Sequence, residues 1–159
     1  MSKWLEGRVV GQTPWDERLF SLRVAAPLGP FQAGQFTKLA LDIGGERVAR
    51  PYSFVNPPGA EPLEFYYNVL AAGPLSPRLA ALHAGDTVFV APSVAGFLVL
   101  SEVPDAENLW LIATGTGLAP YLSILRTETL WQRFRHVILV HATRTSAEIL
   151  KLDDLGTVA

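Results

Sequence analysis

The sequence predicts an antiparallel, Greek-key-like β barrel followed by the start of a parallel α/β unit. Three observations carry this. Up to about residue 100, short runs alternating apolar with polar residues recur between clusters of Gly and Pro, as half-buried strands do. Beyond residue 100 the runs become continuously apolar, the mark of strands covered on both faces. The 13 glycines and 12 prolines among 159 residues favour many short elements.

In order, Gly7–Gly11 and Leu19–Val24 read as the first two strands, with a loop at Gln12–Asp16 between them. Pro27, Gly29, Pro30 and Gly34 mark a second loop, and Gln35–Leu41 a third strand. Ile43-Gly44-Gly45-Glu46 reads as a tight turn, since Gly accepts positive φ. Arg47–Val55 is a fourth strand, interrupted at Pro51, which predicts an edge, a bulge or a ligand-facing opening. Leu63–Val69, Asp86–Val90 and Gly96–Leu100 are strands five to seven. Ser76–Leu82 reads as a helix with Ser76 at the N-cap and Pro77 in its first turn. Regularly spaced short strands point to a small barrel or sandwich.

The α/β unit begins with Asn108–Ala113 as a buried strand, followed by the turn Thr114–Gly117. Leu118–Leu130 has helical spacing, His136–His141 is a second buried strand, and Ser146–Leu150 starts another helix. The domain boundary falls in Ser101–Ala106, giving residues 1–101 and 102–159. Two strands are fewer than a doubly wound sheet normally has, so the expectation is a C-terminally truncated unit, or one covered by a partner.

Composition excludes several classes. Zero cysteines rule out disulfides, thiolate metal sites and a Cys nucleophile. His83, His136 and His141 are scattered. A net charge of −2 argues against a nucleic-acid binder. No run approaches the roughly 18 apolar residues of a membrane span, and no apolar stretch follows Lys3 as in a signal peptide. The expected compartment is the cytoplasm. The pairs Asp16/Glu17 and Asp153/Asp154 read as loop-solvating residues.

Four motifs offer chemistry. In Arg50-Pro51-Tyr52-Ser53, Arg50 and Tyr52 share a face by the period of two. The guanidinium suits a phosphate, the ring suits a planar heterocycle, and Ser53 adds a hydroxyl. An edge strand with a surface Arg is the competing reading. Gly73-Pro74-Leu75-Ser76 leads into a helix start that suits a pyrophosphate, or is simply a capped helix. Thr114-Gly115-Thr116-Gly117-Leu118-Ala119-Pro120 sits between strand and helix, as dinucleotide loops do, although Pro120 stands where a third glycine would be. Thr143 and Arg144 follow the second parallel strand, where an Arg can meet a ribose 2′-phosphate, or can be merely solvated.

The order of these motifs over residues 4–148 resembles the ferredoxin (flavodoxin)–NADP reductase family, bacterial type. Gly34-Gln35-Phe36 and Gly85-Asp86 fit the same pattern. The resemblance implies a flavoprotein oxidoreductase that passes electrons between NADPH and ferredoxin or flavodoxin through FAD. It implies an FAD-binding barrel in residues 1–101 and a partial NADP-binding domain in 102–159. By that resemblance Arg50 holds the FAD pyrophosphate, Pro51 is a further cofactor-binding residue of the same motif, Tyr52 stacks on the isoalloxazine, and Ser53 bonds near flavin N5. Tyr52 and Ser53 are thus the catalytic candidates. Tyr66, Tyr67, Asn68 and Val69 line the flavin, and Pro74, Leu75 and Ser76 hold the pyrophosphate. Thr116 marks the flavin–nicotinamide junction, while Thr143 and Arg144 meet the NADP(H) 2′-phosphate. The expected outcome is FAD binding with weak NADPH turnover. The alternatives are a flavin reductase with another acceptor and a non-catalytic nucleotide-binding or interaction module. Acceptor, direction of flow and oligomeric state stay open.

Overall fold

In the computed structural model, residues 3–149 are described. Six antiparallel strands form the first sheet: β1 (Leu5–Pro14), β2 (Leu19–Ala25), β3 (Phe36–Ile43), β4 (Glu46–Ser53), β5 (Leu63–Asn68) and β6 (Thr87–Val90). Their order is β4-β3-β6-β1-β2-β5. The sheet curls until its ends meet, where Phe54 bridges Phe65 and the Val55 N–H donates to Glu64 O at 2.8 Å. Alternation along each strand sends Val9, Leu22, Val24, Leu39, Phe65, Val88 and Val90 into the barrel core. A Phe31–Phe54 ring stack, 4.0 Å between centroids, fills the closing seam.

The β3–β4 hairpin turns at Gly44 and Gly45, with φ of 60° and 85°, a conformation that suits glycine. Pro51 does not interrupt β4, which runs through it opposite Lys38. It is tolerated because β4 terminates the hydrogen-bonded ladder. β1 extends through the expected loop to Pro14, and Gln12, Thr13 and Pro14 pair with Leu22, Ser21 and Phe20. A bulge between Val9 and Gly11 supplies the extra residue. Gly96–Leu100 is no strand. Only Ala95 bridges Phe36, Phe97 is 86% exposed, and a 3-10 turn spans Leu100–Glu102.

Helix α1 (Ser76–Ala80) begins one residue earlier than its cap pattern suggests. Leu75 occupies the N-cap, and Ser76 is the first helical residue. The Ser76 hydroxyl instead accepts the Leu70 N–H at 2.9 Å. Leu75 and Leu79 are buried and plug one end of the barrel core.

The second part holds β7 (Asn108–Thr114) and β8 (His136–Ala142), paired in parallel from Asn108↔His136 to Thr114↔Ala142. Two helices connect them, α2 (Leu118–Leu125) and α3 (Glu128–Arg133), in place of the single helix that the spacing predicts. Thr127 breaks the run. Its backbone is extended, and its hydroxyl donates to Ile124 O at 2.6 Å, offering the helix end an alternative partner. The Trp131 indole N–H takes the neighbouring Leu125 carbonyl at 3.0 Å. Among the described residues, only one face of the parallel pair is covered. Leu111 and Ala113 meet α2, whereas Trp110 and Ile112 are 61% and 63% exposed. Ser146–Glu148 forms a 3-10 turn, not an α-helix, and Leu150 lies outside the described residues.

The two parts share one apolar layer. Leu19, Ala33, Val55 and Tyr66 of the barrel pack with Leu118, Leu122, Ile124 and Leu125 of α2. Buried Ser123 donates to Asn56 O at 2.8 Å across this layer, and Arg126 pairs with Glu64 at 3.2 Å. Arg133 donates to the carbonyls of Leu100 and Val103, pinning the connecting segment.

Candidate functional site

Two cavities meet where the barrel mouth faces the turn Gly115–Gly117. The first is a cleft of about 580 Å³ lined by β4, β5, the segment Gly73–Ser76 and the start of α2. The second, of about 520 Å³, lies between the β1–β2 turn, the ends of β7 and β8, and Glu148. Tyr66, Asn68 and Thr116 line both, so one wall separates two adjoining compartments.

The cleft gathers Arg50, Pro51, Tyr52 and Ser53 from β4, Tyr66, Tyr67 and Asn68 from β5, Pro74, Leu75 and Ser76, and Thr116. Tyr52 presents its ring edge-on to Tyr67, 5.8 Å between centroids at 78°. Phe20 stacks on Tyr67 at 5.9 Å. Burial holds the Tyr52 phenol above its usual range, with the Arg50 charge opposing, and burial also raises Tyr67. Both phenols are therefore neutral donors at physiological pH. Arg50 is exposed, and its guanidinium donates to Ala49 O at 2.7 Å. Ser76 accepts from Leu70, which leaves its own O–H able to donate.

Val69 stands apart from these residues. It packs against the barrel core, and its N–H donates to Arg18 O at 2.7 Å. Thr143 and Arg144 line the second cavity. Arg144 lies 3.9 Å from Glu148, whose other oxygen accepts the Arg144 N–H at 3.3 Å. The His141 ring nitrogen lies 2.9 Å from Gly115 O and ties β8 to the glycine turn. Of the remaining arginines, Arg47 is bound by two 2.8 Å bonds to Asp42, and Arg78 donates to Pro74 O.

Sequence reasoning passed over three residues of the second cavity, Asp16, Arg18 and Glu148. Asp16 caps its turn, accepting the N–H groups of Arg18 and Leu19 at 2.6 and 2.7 Å. The turn signal was visible in the sequence, but its place beside β8 was not. Asp153 and Asp154 lie outside the described residues. No cluster of three metal-ligating side chains occurs among the described residues.

Tyr66 forms part of the shared wall, and its phenol is pushed up to about 12 by burial, then by the charges of Asp16 and Glu148. The neutral phenol is thus favoured by folding. Its contribution is complete below the unfolded value of about 10 and is lost as pH rises through about 12. It amounts to at most about 3 kcal/mol. Urea unfolding at pH 9 and pH 11.5 should show a stability loss that Tyr66→Phe reduces. An identical loss in the variant would place the effect elsewhere.

One polar atom in the wall has no counterpart. Asn68 Oδ1 is buried without a hydrogen-bond partner among the described residues, an arrangement that costs roughly 1–3 kcal/mol. Asn68 itself lines both cavities. An adjoining arginine, aromatic rings and a hydroxyl-bearing loop fit a molecule with a planar heterocycle and a phosphate tail.

Residues 111–159 match the family described as the oxidoreductase NAD-binding domain. The flavodoxin/ferredoxin–NADP reductase of Shigella flexneri is 54% identical over 149 residues, 94% of this chain and 60% of that protein. The ferredoxin–NADP reductase of Pseudomonas aeruginosa is 35% identical over 159 residues and is matched over 62% of its length. A crystal structure of a ferredoxin NADP+ reductase from Neisseria gonorrhoeae with bound FAD and NADP superposes with a TM-score of 0.89 at 31% identity. That match covers 94% of this chain and 61% of the other. The chain thus spans about three-fifths of the length of these relatives.

Proposed function

We propose that the chain is a member of the flavodoxin/ferredoxin–NADP reductase family, to which its 54%-identical relative belongs, that its barrel cleft holds FAD and that its second cavity receives NADP(H). The carrying observation is the single wall, Tyr66, Asn68 and Thr116, common to both compartments. Two cofactors placed there would meet at that wall. The division follows the same line, with residues 1–101 forming the flavin domain and 102–159 belonging to the nucleotide domain.

Bound FAD supplies the redox chemistry, exchanging hydride with a nicotinamide and single electrons with a ferredoxin or flavodoxin. The chain's own residues bind and orient. Arg50 provides a two-pronged positive charge for the pyrophosphate, with Pro51 keeping the strand extended beside it. Tyr52, braced by Tyr67, offers a flat apolar face to the isoalloxazine. Ser53 contributes a hydroxyl at the flavin's reacting edge. Pro74, Leu75 and Ser76 place a hydroxyl and backbone groups beside the phosphates. Asn68 and Tyr66, at the shared wall, line the flavin together with Tyr67. Val69 supports this wall from behind, through its backbone bond to Arg18. Thr116 holds the junction, and Thr143 and Arg144 select the 2′-phosphate. The setting is cytoplasmic, in keeping with the cysteine-free composition. No helix among the described residues is long and apolar enough to cross a membrane.

The test is the visible absorption spectrum after FAD is added and the excess removed. Retained flavin bands near one equivalent per chain are expected. A protein that stays folded by circular dichroism and retains no flavin would overturn the reading.

A further inference from the structure

Gln12 sits far along the chain from the motifs that line the cleft, yet its side chain links two walls of that cleft. Its side-chain amide donates to Leu79 O at 2.7 Å and to Leu82 O at 2.8 Å, the last carbonyls of α1 and the turn after it. Its carbonyl oxygen Oε1 accepts the Tyr67 phenol O–H at 2.8 Å. Both amide N–H groups and one lone pair of Oε1 are therefore engaged, half-buried, with residues 55 to 70 positions away.

The consequence is mechanical. Tyr67 braces Tyr52 from the β5 side, and α1 carries the Pro74–Ser76 segment that lines the same cleft. α1 has only five residues, too few to hold its shape alone. Its place depends on Leu75 and Leu79 in the core and on whatever grips its C-terminal carbonyls. We infer that Gln12 is a positioning residue for the cleft: by clamping the end of α1 to the Tyr67 hydroxyl, it sets the spacing between the aromatic wall and the Pro74–Ser76 wall. The inference rests on the reading of the cleft as an FAD site, in which the first wall meets the ring system and the second the phosphates.

The experiment compares the parent chain with Gln12→Leu, Tyr67→Phe and the double variant. FAD and riboflavin affinities are measured by fluorescence titration, alongside hydrogen exchange of the α1 region without ligand. Gln12→Leu is expected to weaken FAD about tenfold, the equivalent of one to two neutral hydrogen bonds. Riboflavin has the ring system and no pyrophosphate, so its affinity should change less than twofold. Exchange at residues 76–83 should rise in the unliganded variant. Tyr67→Phe removes one hydroxyl and keeps the ring, so it tests the clamp even if Gln12→Leu folds poorly. The double variant should bind FAD no worse than Gln12→Leu alone, because both changes break one linkage.

Equal losses for FAD and riboflavin would mean that Gln12 serves general stability, and the inference falls. Unchanged FAD affinity in both single variants would overturn it as well. Failure of the parent chain to bind FAD would instead overturn the functional reading on which the inference rests.

Discussion

Replacing Gly34 by Ala is expected to cost more than about 3 kcal/mol, the range reached by backbone strain combined with a core clash. Gly34 has φ of +99°, a conformation that an L side chain rarely adopts. A Cβ built there would lie 1.7 Å from the Leu98 carbonyl oxygen and 3.2 Å from Ile124 Cδ1. The first obstacle is backbone and cannot swing aside. Moving the Leu98 segment would pull on the Phe36–Ala95 bridge, where two 2.9 Å hydrogen bonds join it to β3. Moving Gly34 instead would disturb the layer that joins barrel to α2. Gly29, with ordinary φ and nothing within 4 Å of a built Cβ, is the control. Urea unfolding of Gly29→Ala should match the parent within about 0.5 kcal/mol. A Gly34→Ala protein as stable as that control would show that the Leu98 segment yields freely.

The largest functional effect is expected at Arg50. Arg50→Ala should weaken FAD binding by about 10- to 100-fold, corresponding to the roughly 1.5–3 kcal/mol of hydrogen bonds to a charged group. Stability should hardly change, because the side chain is exposed and its one internal bond goes to the adjacent Ala49 carbonyl. This separation distinguishes ligand binding from folding. Arg50→Lys keeps the charge but loses the fork that grips two phosphate oxygens. It should fall between parent and Ala. Flavin fluorescence titration beside thermal unfolding reads both quantities. A full-strength FAD complex in Arg50→Ala would remove this residue from the pyrophosphate site.

Most of the barrel was legible because a half-buried strand announces itself within six or seven residues. Leu19-Phe20-Ser21-Leu22-Arg23-Val24 alternates, and β2 forms there. The Gly44-Gly45 turn follows from local backbone freedom. The failures share a cause. Gln12–Pro14 lacks a strand pattern, but its pairing with Ser21 and its neighbours draws it into β1. Phe97 and Leu98 look like strand residues, yet the chain there has no ladder to join beyond Ala95. The Leu118–Leu130 pattern continues past a real break, because apolar spacing does not report that Thr127 can satisfy α2's last turn itself. Trp110 and Ile112 are apolar on a face that no described residue covers.

The candidate site divides in the same way. Arg50, Tyr52 and Ser53 form one local word, and β4 delivers them to one cleft. Ser76 was recognised with the wrong local role, since its hydroxyl serves Leu70 rather than a helix cap. Asp16 showed only a turn signal and Glu148 none, because each lines the second cavity only once the β1–β2 turn and the segment after β8 come together.

By itself, then, the sequence determined the strand succession, the change to parallel α/β grammar near residue 105, and the motifs that carry the family resemblance. These depend on periodicity and turn chemistry over a few residues. Tertiary structure alone decided that two cavities share the wall Tyr66, Asn68 and Thr116, and that Gln12 clamps α1 to Tyr67. Those contacts join segments some 50 or more residues apart. They arise only when the barrel closes and α2 docks against it, and no local pattern encodes that distance.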